Sequence, residues 1–599
     1  MAPPATQGGP PSSGRTRAHA FVALGAAAAV ASAVAGRPLA WLLVTVATVA
    51  VPRVGLRGGF ERLPSAAVVV VATLCSASLV SGLVGLDVTS SPWPARVLLG
   101  ALGIVLVVGA QILAVGSPPT ASHSRVELIV STLPAGVMAL LWILIAASPL
   151  GTATSWFLSG DHLRHLALVT RTLDAGALEY TSQSYPRGWH AALALLWSSS
   201  GLDRDAEGLA ALIRLQSLAT WLVLVLIALA LGLTASTLTR SRDDRPLVTG
   251  AAGCLTGALV VGRGFFGDYV PRGFQTSLVA LLIVSAVVLR LTRSRSDRGA
   301  LVVASVGVTL MAHVWQVLLP VVGLLLVLVL RERWQAALPR RSLIADVVVL
   351  LATTALAIPG VLGALHGYGV GAIAVPGDVP PPALGWIVVV ALSGAVLAMR
   401  TPRALLTPLV VAVGASVATA LGLMLVSGVG WSSYYPNKTI WTAAALGLPL
   451  VCSAAAGLLP RSVSGVSGRA VVALVASVVM GLVTISLAAP VAGLRGAWSA
   501  ADGDVVIDTV TTPAAADAAV VWAVGSEVDD ATSQLLLDFY SATSTTPPLG
   551  LAPRGIDEQC RLLEEAGAPL VLSDAVEADV RSRFTCVPQL DIVRVEAAP

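Results

Sequence analysis

The chain has 599 residues, of which 56% are hydrophobic and 12% charged, with a mean hydropathy of +0.84. Soluble proteins carry roughly 25% charged residues, so this composition excludes a soluble globular enzyme, a disordered regulator and a nucleic-acid binder; the solvent of this chain is a lipid bilayer. The 37 basic and 33 acidic side chains leave a net charge of +4, too little to call for a polyanionic partner, and Lys438 is the only lysine.

In chain order, residues 1–19 read as a Pro/Gly/Ser-rich cytoplasmic tail with Arg15 and Arg17. Residues 20–490 then form a multi-span region. A span needs roughly 20 apolar residues, and about fifteen stretches qualify: 20–36, 38–52, 65–86, 96–116, 127–149, 208–235, 246–264, 275–291, 299–314, 316–331, 343–364, 384–399, 404–428, 440–459 and 469–490. Arginines concentrate in alternate loops: Arg53, Arg57 and Arg62; Arg240, Arg242 and Arg245; Arg290, Arg293, Arg295 and Arg298; Arg331, Arg333, Arg340 and Arg341; Arg400 and Arg403. Putting these loops inside, as the positive-inside rule requires, makes 299–331 a tight pair hinged at His313 to Gln316. It leaves a long external loop at 150–207 and an external tail at 491–599.

That tail is richer in Asp and Glu. It alternates strand-like stretches (519–524, 569–572, 591–595) with helical ones (530–540, 556–566), the pattern of a small α/β domain. The fold class expected is thus a polytopic α-helical membrane protein with a small external C-terminal α/β domain. Cys560 and Cys586 fall in this tail, where an oxidising compartment allows a disulfide between them or leaves two thiols. Cys75, Cys254 and Cys452 lie in apolar segments, and no cysteine has zinc-ligand spacing.

Polar residues away from the cytoplasmic loops call for an explanation in a membrane protein. The densest group is Ser159-Gly-Asp161-His162-Leu-Arg164-His165, continuing to Tyr185-Pro-Arg187-Gly-Trp189-His190. Ser159 is a good N-cap, and Asp161 in the first turn suits the helix dipole. Asp161, Arg164 and His165 at i, i+3 and i+4 would share one face of an interfacial helix. The same residues suit a solvated cap with an ion pair of little worth, or two ligands of a divalent metal. A second group is Trp431-Ser-Ser-Tyr434-Tyr435-Pro-Asn-Lys438, where the lone lysine contacts a lipid phosphate or snorkels as an interface anchor. A third, Phe265-Phe-Gly-Asp268-Tyr-Val-Pro-Arg272-Gly, is a polar turn with one acid and one base; a fourth is His313-Val-Trp315-Gln316. All converge on one side of the membrane. No phosphate-binding glycine loop serves the inner side, and no internal repeat of the transporter kind is evident.

A many-span chain whose long first external loop carries Gly-Asp161-His162-x-Arg164, followed by Tyr185-Pro-Arg187-Gly-Trp189-His190, resembles the GT-C superfamily of membrane glycosyltransferases. The likeness is to its actinobacterial arabinofuranosyltransferase-like branch, in which an acid lies in the first long external loop ahead of a Tyr-Pro-Pro-Gly-Trp segment. Arg187 replaces the second proline, and His162 stands where Gln or a second acid is commoner. The close match spans about 30 residues.

The resemblance implies a multi-pass enzyme of the plasma membrane. It would move a sugar from a polyprenyl-phosphate donor to a cell-envelope glycan or glycolipid acceptor on the outer face. Asp161 would be the general base, and the reaction would invert the anomeric centre. Lys438, Arg164 and Arg272 would steady the leaving phosphate, His165 and Tyr185 would orient substrate, and Trp189 and Tyr435 would offer flat packing faces. His162, Arg187, His190, Asp268 and Tyr434 complete the expected substrate-binding set. No cofactor is required, although Asp161, His162, His165 and Asp268 are compatible with a divalent metal. The competing expectations are a transporter or flippase of lipid-linked sugars, and a non-catalytic envelope scaffold.

Overall fold

The computed structural model describes residues 12–51, 55–114, 124–147, 161–179, 186–204, 206–243, 245–262, 272–294, 296–336, 339–367, 384–430, 433–457, 520–521, 556–565, 570–573 and 577–594. Its helices are α1 (Ser12–Val34), α2 (Pro38–Ala50), α3 (Gly55–Leu83), α4 (Pro92–Ala114), α5 (Arg125–Ala147), α6 (His162–Asp174), α7 (Gly188–Ser198) and α8 (Ala206–Arg240). They continue as α9 (Pro246–Val261), α10 (Gln275–Arg293), α11 (Arg298–Val314), α12 (Leu319–Gln335), α13 (Arg340–Gly367), α14 (Leu384–Ala398), α15 (Arg403–Ser427) and α16 (Tyr434–Ala456). The C-terminal part carries β1 (Val520–Val521), α17 (Ile556–Glu565), β2 (Leu570–Ser573), α18 (Glu577–Arg583) and β3 (Asp591–Arg594).

Among the described residues, eight helices are long and apolar enough to cross a bilayer (within α3, α4, α5, α8, α10, α13, α15 and α16), and five shorter apolar helices accompany them. In lipid a spanning segment must satisfy its own backbone, which is why apolar stretches of this length become helices. The chain is built as a helical membrane protein. Fourteen of the fifteen apolar stretches coincide with helices; 469–490 lies outside the described residues, as does the helical stretch expected at 530–540. α8 and α10 are buried almost throughout and form the centre of the bundle. Large apolar side chains stay exposed on the peripheral helices, among them Leu351, Leu365 and Leu425. On a soluble surface such a belt would be a liability; in a bilayer it is the solvated face.

The helices alternate in direction, so the bundle has two chemically different ends. One gathers the arginine loops in ion pairs: Arg293 with Glu61, Arg290 with Asp297, Arg240 with Glu127 at 3.7 Å, and Arg333 with Asp346 at 2.6 Å. Asp297 also caps α11, accepting from the Ala300 amide at 2.6 Å. The expected hinge lies at the opposite end: α11 stops at Val314, a 3₁₀ turn follows at Gln316–Leu318, and α12 runs back. The return is antiparallel, because Arg333 near the end of α12 donates at 2.6 Å to the Ser296 carbonyl just before α11. His313 and Gln316 hold this break against α13 through the carbonyls of Leu356 (2.7 Å) and Gly360 (2.8 Å).

The C-terminal strands form a parallel sheet in the order β1-β2-β3. Cys560 on α17 and Cys586 after α18 are joined in a disulfide with a Cα–Cα distance of 5.9 Å. Leu563 and Phe584 are buried beside it.

Candidate functional site

The end of the bundle away from the arginines is closed by two short helices, α6 and α7. α6 has Leu166, Val169 and Leu173 on its buried face and Arg164, Arg171 and Asp174 outside, which is the stripe of an amphipathic helix at an interface. Ser159 lies outside the described residues. The helix begins at His162, with Asp161 at the N-cap position, but the Asp161 side chain makes no capping hydrogen bond. It points elsewhere.

Oδ2 of Asp161 accepts a 2.8 Å hydrogen bond from the hydroxyl of Tyr434, on the first turn of α16. That hydroxyl in turn accepts from the ammonium of Lys438. The sequence groups around Asp161 and around Lys438, expected as separate features, are thus one constellation. Lys438 is buried, 3% exposed, and lies over the rings of Phe274 (3.4 Å to the centroid) and Tyr434 (3.8 Å), with Trp315 at 5.3 Å. α16 carries it one turn inward from Tyr434, into a cage of aromatic faces. A cation removed from water is stabilised there by ring quadrupoles, each contact worth about 2 kcal/mol when desolvated. Tyr435 completes the wall, 5.2 Å from Tyr434 and 5.4 Å from Trp315 between ring centroids.

Asp161 is also fixed by its backbone. Its amide donates at 3.0 Å to the carbonyl of Arg272, and Gly273 follows with φ +77°. A Cβ at Gly273 would run into the backbone of Asp161 and His162, so only glycine lets this turn close on the start of α6. Here the third polar group contributes a backbone carbonyl and a tight turn. Asp268 and Tyr185 lie outside the described residues.

The shared face expected for Asp161, Arg164 and His165 is not formed. Neighbouring helical residues diverge by 100°, so Arg164 stands 79% exposed, 3.8 Å from Oδ1 of Asp161, while His165 turns inward. Nδ1 of His165 lies 2.8 Å from Nε2 of His190 on α7, with the two rings stacked at 5.0 Å. Both helices are outside the segments able to span. Burial, then the positive charges of Lys438 and Arg164, push the His165 ring down to about 3, against a contact with the Gly273 backbone that raises it. Burial, then His165 and Arg187, push His190 well below its usual range. Two neutral rings suit this contact, one nitrogen donating and the other accepting.

His162 turns inward as well, its Nδ1 2.8 Å from the amide nitrogen of Gln275 on α10. The Gln275 carbonyl accepts from Trp189 at 3.2 Å and from Gln216 of α8 at 3.0 Å. Trp189 is therefore a buried member of a polar string. Arg187 is buried at the start of α7. Gly188 next to it lets α7 touch α3 and the helix break, since a Cβ there would meet Cys75 Sγ and His313 Cβ at 2.7 Å. Among the described residues, no three His, Cys, Asp or Glu side chains come together as a metal site.

Phe274, Gln275 and Gln216 were not legible as site residues. The signal for the glutamines was available: a neutral amide inside an apolar helix must find a partner as surely as a charge does. Compared with known proteins, the chain matches no family model and no curated protein.

Proposed function

We propose that the chain is a membrane glycosyltransferase of the GT-C kind, taking a sugar from a polyprenyl-phosphate donor to a cell-envelope glycan or glycolipid with inversion. The observation that carries this reading is the state of Asp161. Its carboxylate is one-quarter exposed, one oxygen is held by Tyr434 over the buried Lys438, and the other faces the exposed Arg164. An N-cap aspartate with a purely structural task would bond its own helix; this one is oriented from 273 residues away.

In the proposed reaction Asp161 accepts the proton of the acceptor hydroxyl as that oxygen attacks the anomeric carbon. The carbon–oxygen bond to the lipid phosphate breaks on the opposite face, and its electron pair leaves with the phosphate. Arg164 at the rim, and Arg272, whose carbonyl accepts from the Asp161 amide, would supply positive charge for that leaving group. Lys438 acts from beneath, through Tyr434, as a positioning residue for the carboxylate. The site end is external and the arginine end cytoplasmic by the positive-inside rule, in a plasma-membrane topology of about fifteen spans, and the C-terminal α/β domain presents the acceptor.

The test is a transfer assay with the full chain in lipid, offering radiolabelled decaprenyl-phosphate sugars and a cell-wall glycan extract to wild type and to Asp161→Asn. Label entering the glycan with wild type and lost in the variant supports the reading. A second reading, a flippase of lipid-linked sugars, draws on the amide string of Gln275 and Gln216, which carries polar groups into the bundle. Translocation without transfer, retained in Asp161→Asn, would decide for it.

A further inference from the structure

At the arginine end, opposite Asp161, the bundle is not closed. A cavity of about 220 Å³ opens between α3, α4 and α11, with walls such as Val69, Leu106 and Val303. Along α3 it runs from Arg62 to Thr73, eleven residues or about 16 Å at the helical rise. That matches one leaflet, half of a hydrocarbon layer roughly 30 Å thick. Val105, on the α4 wall, is mostly exposed, so the groove opens onto the lipid-facing side. At Gly109 on the same wall an added Cβ would meet nothing within 4 Å; bare backbone lines open space.

Two guanidinium groups, Arg62 and Arg290, stand at the arginine end of this groove. Arg290 is paired with Asp297, and the neighbouring Arg293 with Glu61. Arg62 feels Arg290, Asp297 and Glu61 electrostatically but makes no hydrogen bond or ion pair among the described residues. Three arginines against two acids leave a surplus of one positive charge, and it sits where an apolar trough begins. A guanidinium fork suits a phosphate, and the trough suits a hydrocarbon tail. The occupant that satisfies both is amphipathic and singly anionic.

We propose that this groove binds an anionic phospholipid of the leaflet on the arginine side. Its phosphate lies on Arg62 and the upper part of one acyl chain lies along α3 and α4, the rest of the lipid remaining in the bilayer. The groove is independent of the chemistry assigned to Asp161.

The full-length protein is delipidated in detergent and titrated with phosphatidylglycerol, with phosphatidylcholine, or with inorganic phosphate. Bound mass is read by native mass spectrometry and the thermal midpoint in parallel. One saturable phosphatidylglycerol per chain is expected, at least tenfold weaker in Arg62→Gln and in Gly109→Phe, whose new ring fills the trough. Arg400→Gln, an exposed arginine at the same end, and Asp161→Asn should bind as wild type does. Both groove variants must keep the wild-type lipid-free midpoint, which separates lost binding from lost fold. Equal binding by Arg62→Gln, or phosphatidylcholine binding as tightly as phosphatidylglycerol, overturns the proposal. So does inorganic phosphate alone producing the Arg62-dependent stabilisation, which would make this a free-anion site, or a loss of lipid in Arg400→Gln or Asp161→Asn.

Discussion

The hydroxyl of Tyr434 donates to Oδ2 of Asp161 at 2.8 Å and accepts from Lys438, so the start of α6 and the first turns of α16 share one hydrogen-bonded unit. A hydrogen bond to a charged group contributes roughly 1.5–3 kcal/mol net. Its larger effect is geometric, since it fixes which carboxylate oxygen faces the exposed Arg164.

Asp161→Asn keeps the shape and the Tyr434 contact but removes the basic oxygen. Transfer should fall by about 10²–10⁴-fold, the usual contribution of a general base, with the thermal midpoint within a few degrees of wild type. Parallel turnover and unfolding measurements check this; a variant retaining more than a tenth of the activity would remove Asp161 from the chemistry.

Tyr434→Phe and Lys438→Met should each lower turnover by about 10–100-fold while leaving the Michaelis constant for the donor nearly unchanged, because neither group needs to touch substrate. As members of one network their effects should not add. A double-mutant cycle should give a coupling of about 0.5–3 kcal/mol. Additive losses would mean that Lys438 acts on its own.

Acidification should loosen the α6–α7 contact. Below pH 6.5 the unfolded chain takes up protons on His165 and His190 that the folded chain, holding His165 down to about 3, refuses. Stability is therefore fully present above pH 6.5 and falls as pH drops, by up to about 1.4 kcal/mol per unit for each ring. Thermal midpoints at pH 7.5 and pH 5 should differ clearly in wild type and much less in His165→Asn/His190→Asn. An equal drop in both proteins would place the sensitivity elsewhere.

Gly273→Ala puts a Cβ against the backbone of Asp161 at a positive φ. It should cost about 1–3 kcal/mol of stability, as strained backbone positions do, and should lower turnover beyond what the lost stability explains. Activity at a temperature where the variant is fully folded makes that comparison.

Breaking the disulfide is expected to act locally. Cys560 and Cys586 close a loop with a sequence separation of 26, for which chain entropy allows about 3.5 kcal/mol. Cys560→Ser with Cys586→Ser should speed proteolysis within 556–594 and leave the helical bundle intact, as read by limited digestion.

The spans were legible because lipid permits an apolar stretch of that length little but a helix. The alternate arginine loops were legible for a similar reason, and the structure collects them at one end of the bundle. The site was legible in pieces. Asp161, Tyr434 and Lys438 each stood out as polar residues away from the arginine loops, but nothing local says that α6 and α16 meet. The inward direction of His165 is not legible from the i, i+3, i+4 spacing alone, because Arg164 and His165 lie about 100° apart around α6 and the buried side takes the histidine. Gln216 and Gln275 are uncharged, and an amide inside an apolar helix stands out less in the sequence than an ionisable group does. The N-cap position of α6 falls at Asp161, two residues past Ser159, and the Asp161 carboxylate bonds Tyr434 instead of its own helix.

Lys438 lies under three aromatic rings and is the one lysine in 599 residues. The protein thus carries a single side-chain amine, out of reach of acylating reagents while folded, and tryptic cleavage after lysine can occur at one bond only. Lysine grown in with an isotopic label would give one resonance, shifted by ring currents and located beside the carboxylate of interest. Whatever binds at Asp161 would be reported by a probe that needs no substitution to install.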